Sequence, residues 1–145
     1  MSLYPPVDHL FSVYNFIIFP EFFEWVGCIL LKQDRIENLP SRFSQNQFIS
    51  DRTALEAEYN HIHMNDLLPE NLNPFQVLAF SKKLIEVWAA ILHRKFSPTK
   101  RFILVLSFDE EEVVIRFYTF RESESQWVNI SSLESYMDGL MVIEV

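Results

Sequence analysis

The chain has 145 residues, 49% of them hydrophobic and 22% charged. That is an ordinary globular composition, long enough to bury one core, and it excludes a disordered chain. Two widely separated glycines, Gly27 and Gly139, leave no glycine-rich phosphate loop or dinucleotide fingerprint, and the single Cys28 excludes an intramolecular disulfide and a cysteine-rich zinc site. The net charge of −8 repels phosphate and anionic lipid, so neither nucleic acid nor a membrane surface is an expected partner.

In chain order, residues 8–19 carry Leu10, Phe11, Tyr14, Ile17 and Ile18 at helical spacings. Residues 20–25 then read as a short helix, with Pro20 in its first turn, Glu21 near its positive end and Gly27 closing it in a left-handed conformation. Residues 28–31, all apolar, suit a buried strand that keeps Cys28 as an inert small hydrophobe. The apolar stretch 11–31 has the length of a membrane span. It contains Pro20, Glu21 and Glu24, however, and central charges cost about 2.5–3.5 kcal/mol each on insertion scales. With no basic segment before an apolar run to mark a secretory signal, the expectation is a soluble, cytoplasmic protein.

Residues 33–53 read as a loop with one helical turn near 39–43. Residues 55–64 alternate apolar and polar and change phase at His61-Ile62, which predicts a strand with a bulge, a helix being the second reading. Residues 66–73 are turn-rich. Asn73, Pro74 and Gln76 form a helix-start signature for residues 74–95, whose Leu78, Leu84, Ile85, Trp88, Ile91 and Leu92 make one apolar face. Residues 102–108 and 113–120 are β-branched and aromatic runs joined by an acidic tip, a hairpin signal. Ser131 and Glu134 form a capping box for a short helix that Gly139 closes, and residues 140–145 make a last strand. The expected fold is therefore α+β: a single-domain (1–145) two-layer sandwich with a mostly antiparallel sheet packed by one long amphipathic helix and shorter helices.

Charge is unevenly distributed. Residues 1–72 carry ten acids and four bases, residues 73–108 one acid and six bases, and residues 109–145 nine acids and two bases. In the basic stretch, Arg94, Lys95, Lys100 and Arg101 fall at or beyond a helix C-terminus, where cations offset the macrodipole. Glu110, Glu111 and Glu112 fall on the hairpin tip, where solvated acids keep ordinary acidity and make poor general acids.

One segment carries candidate chemistry: Glu58-Tyr59-Asn60-His61-Ile62-His63-Met64-Asn65-Asp66. On a strand, His61 and His63 project from one face roughly 7 Å apart, and two imidazoles so placed share a metal ion when a third ligand converges. Asp66 and Glu58 are the local candidates for that ligand, His9 and His93 the distant ones. On a helix the two rings would diverge. The preferred reading makes them structural histidines, hydrogen-bonded to turn backbone and carboxylates, with no metal, no cofactor and no catalytic residue. The 22 aromatic residues exceed what one small core requires and favour a protein interface.

Taken in order, Glu58-x-Asn60-His61-x-His63-x-x-Asp66, a helix bearing Trp88 and ending in Lys95-Phe96, then Phe102-x-Leu104-x-Leu106 and Phe117-Tyr118-x-x-Arg121 resemble a family of small uncharacterised bacterial α+β proteins. The resemblance spans residues 55–121 and implies no activity. In general form, small, acidic and α+β, the chain is also similar to immunity proteins that neutralise toxin domains. The expected function is a non-enzymatic cytoplasmic binding module for another protein, a basic one in the immunity-like form, with self-association also open. The alternative is a small metal-dependent hydrolase that uses His61, His63 and Asp66, with Glu58 as base.

Overall fold

The structure, a computed structural model, describes residues 14–33, 39, 42–45, 49–109, 111–127 and 139–145. Two antiparallel sheets and a set of helices form a mixed α+β fold, as the sequence predicts. The elements are α1 (Asn15–Ile18), β1 (Phe22–Trp25), β2 (Cys28–Leu31), α2 (Arg52–Tyr59), β3 (His61–His63), α3 (Met64–Leu67), α4 (Pro74–Phe96), β4 (Phe102–Phe108), β5 (Val113–Thr119) and β6 (Gly139–Glu144). Strands β1 and β2 form a hairpin of their own, and the larger sheet has the order β3-β5-β4-β6. No helix among the described residues is long and apolar enough to cross a membrane.

Helix α4 follows its sequence signals closely. The Asn73 side chain accepts from Gln76 N, and the Gln76 side chain accepts from Asn73 N, so two otherwise orphaned donors are satisfied reciprocally. Arg94 and Lys95 occupy its last turn. Its Leu84, Ile85, Trp88 and Leu92 are fully buried, and they pack on the face of the large sheet that carries Phe102, Leu104, Leu106, Ile115 and Phe117. The Trp88 ring meets Phe22 and Phe117 edge-on, at 5.9 and 6.1 Å between centroids, and its indole N–H donates to Ile17 O at 2.7 Å. The β4–β5 hairpin pairs over its full length, from Phe102↔Thr119 to Phe108↔Val113.

Two elements correct the sequence expectation. Residues 22–25 are a strand and not a short helix. Val26 and Gly27 both have positive φ (47° and 82°), the requirement of a two-residue hairpin turn whose twist matches paired strands. A left-handed glycine ends helices and turns hairpins alike, so the Gly27 signal has two readings; the pairing Trp25↔Cys28 decides between them. The turn is also gripped from outside, by Arg52 Nε on Val26 O (2.8 Å) and Arg121 Nη2 on Gly27 O (2.9 Å).

Residues 52–59 are a helix, where the sequence predicts a loop up to residue 53 and a strand from residue 55. Asp51 caps it by accepting from Ala54 N at 2.8 Å. Its inward face is largely polar: Thr53, Glu56 and Asn60 are buried beside Ala57. These residues follow a helical spacing that a hydrophobicity pattern does not register, whereas Leu55, Ala57 and Tyr59 alternate like a strand. The strand reading holds only for His61–His63.

The polar face of α2 does the work of a strand. Lys32 N donates to Glu21 O, so alternate residues Cys28 and Leu30 turn their main-chain groups toward β1, and Ile29 and Leu31 turn theirs outward. Those outward groups meet side chains. Ile29 N donates to Glu56 Oε2 (2.7 Å), Leu31 N donates to Asn60 Oδ1 (2.8 Å), and Asn60 Nδ2 donates to Ile29 O (2.8 Å). On the far side, Thr119 N donates to Glu56 Oε1 (2.8 Å) and Phe117 N to Asn60 O (3.2 Å). The two sheets are thereby joined through the Glu56 carboxylate and through Asn60, whose side-chain amide bonds β2 and whose main-chain carbonyl accepts from β5.

The carboxylate of Glu56 is completely buried and fully compensated. Besides the two main-chain donors it accepts from Thr119 Oγ1 (2.8 Å) and from Arg121 Nη1 (2.6 Å). Burial raises the Cys28 thiol to a pKa of about 12, and the negative charge of Glu56 adds to the rise. The thiol is inert at neutral pH, as a small buried hydrophobe should be. The remainder of the helix expected over 8–19, before residue 14, and the capping box at Ser131 and Glu134 lie outside the described residues, as does part of the turn expected at 39–43.

Candidate functional site

The histidine segment sits where β3 passes into α3, at one edge of the large sheet. Pairing with β5 places His61 opposite Arg116 and His63 opposite Val114, with Ile62 turned into the core. The two-residue period therefore puts both imidazoles on one side of the strand, as the extended reading requires. Their ring centroids are 5.1 Å apart and nearly perpendicular.

Each ring is oriented from behind. His61 Nδ1 lies 2.5 Å from the main-chain carbonyl of Glu58, and His63 Nδ1 hydrogen-bonds the carboxylate of Glu112. Both acceptors lack a proton to give, so in the neutral rings the proton resides on Nδ1 and the lone pair on Nε2.

Glu112 belongs to the acidic tip of the β4–β5 hairpin, which was expected to be simply solvated. Instead the tip docks on the β3–α3 junction. Besides the Glu112–His63 pair, Asn65 Oδ1 accepts from Val113 N (2.9 Å) and Asn65 Nδ2 donates to Glu111 O (2.8 Å). Asp109 organises the turn internally by accepting from the N–H groups of Glu111 and Glu112, and these two bonds hold its carboxyl below the usual carboxylate range. Glu111 remains exposed, and Glu110 lies outside the described residues.

In front of the histidines lies a cleft of about 490 Å³, lined by Phe16, Pro20, Leu31, Lys32, Gln33, His61, Ile62, His63, Asp66 and Leu67 among others. Helix α1, the end of β2 and helix α3 thus form the walls around the strand edge. Asp66 is brought to the same cleft as the two histidines. Glu58 is not among its lining residues; it reaches His61 through its main-chain carbonyl. Among the described residues, no three His, Cys, Asp or Glu side chains are grouped to hold a metal ion. His93 is exposed on the last turn of α4, and His9 lies outside the described residues.

Sequence reasoning missed Phe16, Lys32 and Gln33 as cleft residues and Glu112 as the partner of His63. Phe16 and Phe19, which fall outside the helically spaced set of Leu10, Phe11, Tyr14, Ile17 and Ile18, are 61% and 58% exposed. Tyr14 meets Phe16 at a tilt and Phe80 of α4 edge-on (6.5 and 6.4 Å between centroids), so the exposed Phe16 ring stands beside an anchored one. Lys32 is held by Glu21 at 3.1 Å, and Gln33 Nε2 donates to Tyr59 O at 2.8 Å.

The chain matches the model of the uncharacterised protein PM0498 family over residues 9–145 and belongs to that family. Neither a curated protein nor a solved structure matches it significantly.

Proposed function

For a chain of this family we propose a recognition role: a non-enzymatic module that binds another polypeptide at the His61/His63 cleft. The observation that carries the reading is the exposed aromatic ring of Phe16 in the lining of a concave site, with a second exposed ring, Phe19, just beyond the end of α1. Large apolar side chains held out to water beside a cleft are the usual anchors of a protein interface, where aromatic groups carry a disproportionate share of binding energy. The net charge of −8 favours a basic partner through faster, salt-sensitive association, and an immunity-like blocking role is the sharpest form of this idea. The cytoplasm is the compartment that suits it, in keeping with one buried, unreactive thiol.

The test uses the wild-type chain and a Phe16→Ser/Phe19→Ser variant as paired baits, followed by binding measurements with the captured polypeptide in purified form. A polypeptide that binds the wild type, weakens with added salt and is lost by the variant supports the reading. Equal retention by both baits would remove the cleft mouth as the recognition surface. The hydrolase alternative depends on Glu58 as base, and the absence of Glu58 from the cleft lining is why we place it second.

A further inference from the structure

We propose that β6 is a self-association edge: the chain forms a two-fold symmetric dimer by pairing Gly139–Glu144 antiparallel with the same strand of a second copy, centred on Val142. Strand β6 lies at the end of the sheet opposite β3, so the dimer leaves the His61/His63 cleft open, and the inference does not depend on the function proposed for that cleft.

The ladder shows which groups face outward. Phe102 and Val145 exchange both of their main-chain hydrogen bonds, at 2.9 and 3.0 Å. The register runs unbroken from there to Phe108↔Gly139. In an antiparallel pair such exchanging positions alternate with positions whose main-chain groups turn away. Ile143 and Met141 therefore bond β4, and the N–H and C=O groups of Leu140, Val142 and Glu144 point to the outer edge. Among the described residues, no strand pairs with that edge.

Exposed edges are ordinarily blunted by lysine, proline, a bulge or an inward-pointing charge. The strand Gly-Leu-Met-Val-Ile-Glu has no lysine, no proline and no break in register, and its one charge stands at its end. Its apolar side chains occupy both faces. Met141 and Ile143 pack against the α4 core, and Leu140 and Val142 against the cluster of Ile103, Val105 and Tyr118. All four are only half-buried.

A second copy fits this edge in three respects. The strand is self-complementary about Val142. Val142 exchanges hydrogen bonds with Val142 of the second copy, and Leu140 with its Glu144, so the outward groups at all these positions are satisfied. The same pairing sets Met141 beside Ile143 of the second copy on the α4 side. Each apolar layer thus continues into the other and covers side chains that a lone extended peptide would leave half-exposed. The last respect is charge. Two chains of net charge −8 repel, but Glu144, the one charge on each strand, stands 3.8 Å from Arg101 of its own chain and opposes an apolar Leu140, not another acid.

The test is sedimentation and light scattering of the full chain over a concentration series, with hydrogen exchange of its amides. We expect a mass twice that of one chain, falling toward one chain on dilution. Exchange at Leu140, Val142 and Glu144 slows by about tenfold or more where the dimer forms, while Met141 and Ile143 are protected throughout. Val142→Pro removes an outward N–H and spares the bonds to β4, so it gives a folded monomer. Val142→Cys reads the register directly. Opposed residues that exchange hydrogen bonds have Cα atoms about 5.5 Å apart, within disulfide reach, so oxidation links two chains through that position. Met141→Cys, which opposes Ile143, does not link, and Cys28 is buried and does not compete. If Val142→Pro does not fold, the two cysteine variants decide alone. A chain that stays monomeric at every concentration overturns the proposal and leaves the edge to a strand of another protein. A folded Val142→Pro that dimerises undiminished, or a link through position 141 in place of 142, overturns it too.

Discussion

The two faces of the large sheet are covered in different ways. On one, α4 lays Leu84, Ile85, Trp88 and Leu92 against Phe102, Leu104 and Phe117. On the other, α2 contributes one small apolar residue, Ala57, to the cluster of Ile103, Val105 and Tyr118, and meets the sheet edges with Glu56 and Asn60. The first layer is held by area, which is non-directional and forgives exchange among side chains of similar volume. The second is held by stoichiometry: each donor on Ile29, Leu31, Phe117 and Thr119 has a named acceptor, and losing an acceptor leaves its donor buried and unmatched. An apolar interface degrades gradually under substitution, whereas a polar latch fails at single atoms.

That contrast can be broken most directly at Glu56. Glu56→Ala should cost about 3–5 kcal/mol, because Arg121 and the two main-chain donors lose their common acceptor together. Chemical denaturation of the variant measures it, and a loss under 1 kcal/mol would mean that the carboxylate does not join the sheets. On the apolar side Trp88→Ala should also cost about 3–5 kcal/mol, yet Ile85→Leu should stay below about 1.5 kcal/mol. A large loss for that conservative swap would show the α4 layer to be as unforgiving as the latch. Asn60→Ala removes one acceptor and one donor from the β2 edge and should cost about 2–4 kcal/mol by the same denaturant midpoints.

Cys28 reports on the latch through pH. Its folded pKa of about 12 lies above the ordinary value of 9.0, so the folded state keeps a proton that the unfolded state releases. Its contribution to stability is complete below pH 9 and is lost between pH 9 and about 12, at up to about 1.4 kcal/mol per pH unit. Stability curves over that range should flatten in Cys28→Ala, and identical slopes in the two proteins would contradict the buried setting of the thiol. The smallest effect belongs to Glu111→Ala. The hydrogen bonds of Glu111 to Asn65 and Asp109 run through its main chain, which the substitution leaves in place, so its stability should stay within about 0.5 kcal/mol of wild type in thermal unfolding.

Legibility in the sequence divides along the same line. Helix α4, the β4–β5 hairpin, β2 and the closing strand are readable because cap residues, turn residues and apolar periodicity all act within a few positions of one another. Helix α2 is not, because Thr53, Glu56 and Asn60 are buried for reasons that lie in β2 and β5. Strand β1 is misread because Gly27 serves a helix end and a hairpin turn equally well, and only a paired strand distinguishes them. At the candidate site, the shared face of His61 and His63 follows from the two-residue period of a strand. Glu112, which orients His63 from 49 positions away, has no local signal at all.

The amino-acid pattern alone determined the α+β class, the long helix and its buried face, because local propensity and periodicity suffice where burial is apolar. Tertiary structure decided that a helix would stand in for a strand between two sheets and that the acidic tip would dock on the histidines. It also decided that Phe16 and Phe19 would face water. Each of these depends on polar groups or surfaces finding partners far away in the chain, and a hydrogen bond, unlike hydrophobic burial, exists only when both of its atoms arrive at one place.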